Sequence, residues 1–199
     1  MAGLSLAVAG TNSPLGPDGP IDHFLISLRC RLNGPATAIG SLSHPARFAV
    51  LLVLLLVGCA LLRSLQAALA LLISLAGTEV AVEILKRVVD RHEAIFAETF
   101  PSGHTAVATV IATVAVLACR PGGPVRVHIS PRAYRWILAA AAVVVVVVAL
   151  SVIIIQDHYF TDTLAAFPLA LAVTLVVAWA LDALAARGLL SPLRKHPLG

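Results

Sequence analysis

The sequence predicts an all-α membrane protein, a helical bundle of about five transmembrane helices preceded by an N-terminal interfacial helix. Three observations carry this. Only 12% of the 199 residues are charged and the mean hydropathy is +0.96, whereas a soluble domain is about a quarter charged. Five apolar runs approach the ~20 residues that cross a bilayer as helix. The polar residues beside those runs fall into three clusters that alternating topology brings to one membrane face.

Residues 1–20 are rich in Gly, Pro, Ser and Asn and read as a mobile tail. In 21–32, Ile21, Phe24, Leu25, Leu28 and Leu32 recur at helical spacing with Arg29 and Arg31 between them, the pattern of a helix lying on the membrane surface or packed on the bundle; a linker runs to 46. The apolar runs are Phe48 to Leu62, Leu65 to Leu85, Thr105 to Cys119, Trp136 to Ile155 and Thr163 to Leu181. They form one transmembrane domain over 47–187, with a short tail over 188–199. The first and third runs reach spanning length only with flanking residues. Pro168 inside the fifth should kink it, and Pro121 to Pro131 is a loop. Cys30, Cys59 and Cys119 lack paired or metal-ligand spacing and read as small packing residues.

If all five runs span, one face carries Arg63, Arg120, Arg126, Arg132, Arg135, Arg187, Arg194 and Lys195, and the other Arg29, Arg31, Arg47, Lys86, Arg87 and Arg91. The positive-inside rule assigns the first set to the cytoplasm. The protein is then a multi-pass inner-membrane protein with its polar clusters on the extracytoplasmic side. Basic residues scattered between apolar segments exclude a nucleic-acid interface. The bilayer is the one partner that composition requires, and the oligomeric state stays open.

Polar groups in or beside membrane helices cost free energy and mark function. The clusters are Lys86 to Arg91, Pro101 to His104, and Ser151 to Asp162. His158 and Asp162 stand at i, i+4, which on a helix puts them within reach; a carboxylate on one ring nitrogen fixes the tautomer and leaves the other free to act. In Pro101-Ser102-Gly103-His104, Ser102 is a good N-cap, Gly103 permits close approach to backbone N–H groups, and the helix N-terminus favours an anion. Lys86 and Arg91 add positive charge. Glu79, Glu83, Lys86 and Asp90 form a stripe expected to face the bundle. Two histidines beside a cationic anion site suggest phosphoryl transfer, with one attacking phosphorus and the other protonating the leaving oxygen. No metal-ligand spacing and no cofactor motif is present.

These motifs resemble the type-2 phosphatidic acid phosphatase superfamily, whose pattern is Lys, six residues, Arg-Pro; then Pro-Ser-Gly-His; then Ser-Arg, five residues, His, three residues, Asp. Lys86, Pro101 to His104, and Ser151, His158 and Asp162 match it in order. The resemblance implies His158 as the nucleophile that forms a phosphohistidine, oriented by Asp162, with His104 as the acid. It implies Lys86, Ser102, Gly103 and Ser151 at the phosphate, no metal, and a lipid phosphate as substrate: a polyprenyl phosphate or diphosphate, or a phosphatidic-acid-like lipid. The family arginines are replaced by Glu93, followed by Ala94, and by Val152; Arg91 is the expected substitute at the phosphate. Loss of the third-motif Arg also resembles the transferase branch, the inositol phosphorylceramide and sphingomyelin synthases, which makes head-group transfer the alternative activity.

Overall fold

The computed structural model describes residues 14, 16–91, 100–121, 123–124 and 129–190. Among them are seven helices: α1 (Asp18–Ser27), α2 (Arg29–Gly40), α3 (Pro45–Leu61), α4 (Leu65–Val89), α5 (Gly103–Ala118), α6 (Pro131–Ile154) and α7 (Phe160–Ala186). A 3-10 turn, Ser41–Ser43, joins α2 to α3.

Local chemistry sets the helix ends. Ser64, Ser102 and Ser130 are N-caps whose hydroxyls accept from the backbone N–H three residues on, and Pro131 follows Ser130 at the first turn, where its missing N–H costs nothing. α4 ends at Asp90, which takes the left-handed conformation at φ 50°. α7 continues through Pro168 as one helix.

Helices α4, α6 and α7, of 25, 24 and 27 residues, are long and apolar enough to cross a membrane, so the protein is a multi-pass integral membrane protein. α5 has 16 residues, about 24 Å at 1.5 Å per residue, and is shorter than the others. The segment Arg29–Ser43 and α3 make a fourth candidate span as a pair bent by 73°. The helical bundle stands as expected; among the described residues three helices, or four counting the bent pair, reach spanning length by themselves, and α5 is a shorter apolar helix.

The core lies among α4, α5 and α7, where Ala70, Leu71, Val82, Ala106, Val110, Val114, Ala166 and Ala170 are buried. Its alanines let the helix backbones approach closely, which is how apolar helices gain contact when lipid offers no hydrophobic driving force. α6 packs on α5 and α2 but touches α7 little. Between α5, α6 and α7 lies an apolar cavity of about 650 Å³, from Thr105, Phe160 and Thr163 at one end to Leu138 and Leu175 at the other.

Three expectations change. The 21–32 helix is two helices, α1 and α2, and α1 begins at Asp18, inside the expected tail. Both dock on α6, and α1 also on α7, because Asp18, Asp22 and Leu25 are buried there. The stripe of Glu79, Glu83, Lys86 and Asp90 does not fill the bundle side of α4, which Thr78, Val82 and Val89 take: Glu79 and Asp90 are exposed, and Glu83 and Lys86 are half-buried at its edge. Finally, Cys30 is exposed rather than packed in the core, while Cys59 and Cys119 are half-buried.

Candidate active site

The three polar clusters converge. Val89 at the end of α4, Phe100 and Ala165 on α7 form a small buried cluster that brings the Pro101 to His104 segment against the start of α7. There the Ser102 N–H donates to the Asp162 carbonyl at 3.1 Å. The His104 and His158 rings meet edge to face, with centroids 5.7 Å apart.

His158 is not on a helix. α6 ends in a double turn: the Gln156 N–H bonds to the Ile153 carbonyl at 3.0 Å and the Asp157 N–H to the Val152 carbonyl at 2.9 Å. This is the Schellman arrangement, with Gln156 at φ 66° where glycine is usual. The reversal aims Asp157 and His158 back at the site, and α7 starts only at Phe160. The expected helical i, i+4 pairing is therefore replaced by a capping geometry. Asp162 reaches back over the start of α7, where Oδ2 accepts the Tyr159 N–H at 3.0 Å. The same oxygen lies 3.9 Å from His158 Nδ1. Nδ1 is thus the ring nitrogen on the carboxylate side.

Behind Asp162 is Arg91, fully buried. Its guanidinium donates to Asp162 Oδ1 at 2.5 Å, to Thr161 Oγ1 at 2.7 Å and to Asp18 Oδ2 at 2.8 Å, and it lies 4.3 Å from the centre of the Tyr159 ring. Arg91 was expected at the phosphate; the structure encloses it between two carboxylates instead. Asp18, Thr161 and Tyr159 were missed from the sequence. Asp18 sits in a Gly/Pro-rich segment with no periodic signal, and nothing local announces that it is buried.

Ser102 is fully buried, and its hydroxyl accepts the Thr105 N–H at 3.4 Å. Gly103 opens α5, and a Cβ built there would meet nothing within 4 Å, so the space in front of it is open. Lys86 pairs with Glu83 on its own helix at 3.0 Å and is near enough to His104 for its charge to act there. Ser151 donates to the Val147 carbonyl of α6 at 2.7 Å and is buried. Val152 has no exposed surface. Glu93 and Ala94 lie outside the described residues. Arg29 of α2 donates to the Gln156 side chain, which brings a cation to the rim.

Two carboxylates at the rim carry raised pKa values. Burial, reinforced by the nearby Asp18 carboxylate, lifts Asp22 to about 7, although it accepts the Phe160 N–H at 3.1 Å. Burial also raises Asp157, against the opposing pull of His104 and Arg29. Among the described residues no three His, Cys, Asp or Glu side chains group as metal ligands.

A solved structure of a transmembrane PAP2-type phosphatidylglycerolphosphate phosphatase from Bacillus subtilis superposes with a TM-score of 0.74 at 23% identity, over 91% of this chain and 92% of that one. At that identity the likeness speaks for the fold. No curated protein matches the chain significantly. The model of the PAP2 superfamily matches residues 67–185, from the first turn of α4 to the last of α7. That stretch contains both histidines, Asp162, Lys86 and Arg91, and on its extent the chain belongs to the PAP2 superfamily.

Proposed function

We propose that the protein is a lipid-phosphate phosphatase working through a phosphohistidine, with its site on the extracytoplasmic face. The observation that carries this reading is the His104–His158 pair, 5.7 Å between ring centres, with Asp162 behind His158 and an apolar cavity beside it. His158 Nε2 attacks phosphorus and the bond to the lipid oxygen breaks. His104 gives that oxygen its proton and then takes one from the water that releases phosphate. Lys86, Ser102 and the N–H groups at the start of α5 hold the phosphoryl oxygens, a task of electrostatics that needs no metal. Gly103 keeps the approach open, and Ser151 supports this wall from α6. The substrate class is a polyprenyl phosphate or diphosphate, or a phosphatidic-acid-like lipid, and the cavity between α6 and α7 suits one of its chains.

Head-group transfer is the second reading. It is favoured by Val152, which puts an apolar, buried residue where the family has a phosphate-binding Arg.

The test is to incubate the purified protein in detergent with a panel of lipid phosphates and phosphodiesters, with and without EDTA, and identify products by mass spectrometry. Free phosphate is expected, undiminished by EDTA, and a transferred head group would select the second reading. His158→Ala should abolish turnover. His104→Ala should lose more on a lipid phosphate than on an aryl phosphate whose leaving group needs no proton. Wild-type activity in His158→Ala would refute the scheme.

A further inference from the structure

Helix α1 lies before the segment that matches the family, yet it delivers a buried charge to the rear of the site. We infer that Asp18 is a positioning residue for His158, acting through Arg91 and Asp162, and that α1 is thereby a working part of the site. The inference rests on His158 being the nucleophile.

The geometry is a connected set of buried bonds. Asp18 Oδ2 accepts from Arg91 at 2.8 Å and from the Thr161 hydroxyl at 2.9 Å, and Oδ1 accepts the Thr161 N–H at 2.8 Å. Arg91 continues to Asp162 at 2.5 Å. Asp18, Arg91 and Asp162 all have 0% exposure. Docking α1 does not call for such a charge. An apolar side chain would do it more cheaply, since a buried carboxylate is tolerated only when paired.

The charges explain what Asp18 adds. Arg91 facing Asp162 alone would neutralise it. Shared between two carboxylates, Arg91 neutralises Asp162 only in part, and among the described residues the three groups together place a negative charge behind His158. His158 gains positive charge as its nitrogen bonds to phosphorus, and the enclosed negative charge is complementary to that change. Among the described residues the other charged and titratable groups around His158 are His104 on α5, Glu79 and Lys86 on α4 acting on His104, Glu83 paired with Lys86, Asp157 in the turn after α6, Tyr159 before α7, Arg29 on α2 and Asp22 on α1.

The experiment is a kcat–pH profile of the purified protein in detergent with para-nitrophenyl phosphate, whose leaving group needs no proton, with Asp22→Asn as the control that removes the other rim carboxyl titrating in that window, so that the remaining acid limb reports His158. Asp18→Asn should lower kcat about tenfold. It should also move the acid limb down by about one pH unit, as for a charge roughly 10 Å away at an effective dielectric near 20. The sign follows because a lost negative charge makes the imidazolium easier to deprotonate. Asp18→Glu should return the limb to its wild-type position. Folded Asp18→Asn with wild-type kcat and limb would overturn the inference. Should that variant not be recovered folded, the double variant Asp18→Asn/Arg91→Gln carries the test, because it leaves no unpaired charge from the Asp18–Arg91 pair. There the limb should stay near the wild-type position while kcat falls, and a wild-type kcat would overturn the inference. Activity surviving in His158→Ala would instead mean that the underlying reading had failed.

Discussion

Replacing Asp162 by Asn tests the site at its most constrained atom pair. Oδ1 takes a hydrogen bond from Arg91 at 2.5 Å, and Oδ2 takes the Tyr159 N–H at 3.0 Å while facing His158 Nδ1 at 3.9 Å. An amide has one acceptor. It must turn its oxygen to Arg91, or two donors would collide there without solvent. Its NH₂ then occupies the place of Oδ2, opposing the Tyr159 N–H and donating toward His158. A donated hydrogen bond at Nδ1 moves the imidazole proton to Nε2, the nitrogen that must attack. By analogy with the wrong-tautomer variant of the serine-protease triad, the chemical step should slow by about 10³ to 10⁴, or roughly 4 to 5.5 kcal/mol of transition-state stabilisation. The buried donor conflict should cost a further ~1–3 kcal/mol of stability. Single-turnover rates on a lipid phosphate, with thermal unfolding in detergent alongside, would measure the two effects separately. A folded Asp162→Asn enzyme within about threefold of the wild-type rate would refute the orienting role, since the tautomer argument allows nothing so small.

Gly103→Ala should leave the melting temperature unchanged, because the added Cβ meets nothing within 4 Å, while lowering activity about tenfold or more by filling the approach to the α5 N-terminus; equal activity would show that phosphate does not come that close. The Asp22 carboxyl is raised from 3.8 to about 7 in the folded protein, so its contribution to stability is full below about pH 4 and is lost as pH rises through 7. Melting in detergent should fall over that window, Asp157 adding in the same direction, and Asp22→Asn should flatten the slope; an unchanged slope would show that Asp22 does not titrate there. Cys30 is exposed on α2 at the site end, so a membrane-impermeant maleimide should label it in intact cells; labelling only after permeabilisation would invert the proposed orientation.

The sequence by itself determined the helices and their common polar face. Leu65–Val89, Pro131–Ile154 and Phe160–Ala186 follow from local signals: unbroken apolar runs, serine caps, Pro at a first turn, and a change of composition at each end. That Lys86, His104, His158 and Asp162 share one membrane face follows from alternation when each apolar run crosses, the α5 run included, because consecutive spans return to the same side. The tertiary structure decided what those residues touch. Asp18 and Arg91 are 73 positions apart, and Arg91 and Asp162 are 71 apart. Nothing in the composition near either says that a guanidinium offered to phosphate by sequence spacing is enclosed by two carboxylates. His158 leaves the helix because Asp162 caps α7, and the cavity opens because α6 leans on α2 and α5 rather than on α7. Helix formation satisfies each backbone group within a few residues and is therefore written locally. The pairing of buried charges and the gaps between helices depend on which surfaces pack together, and that is settled only by the whole bundle.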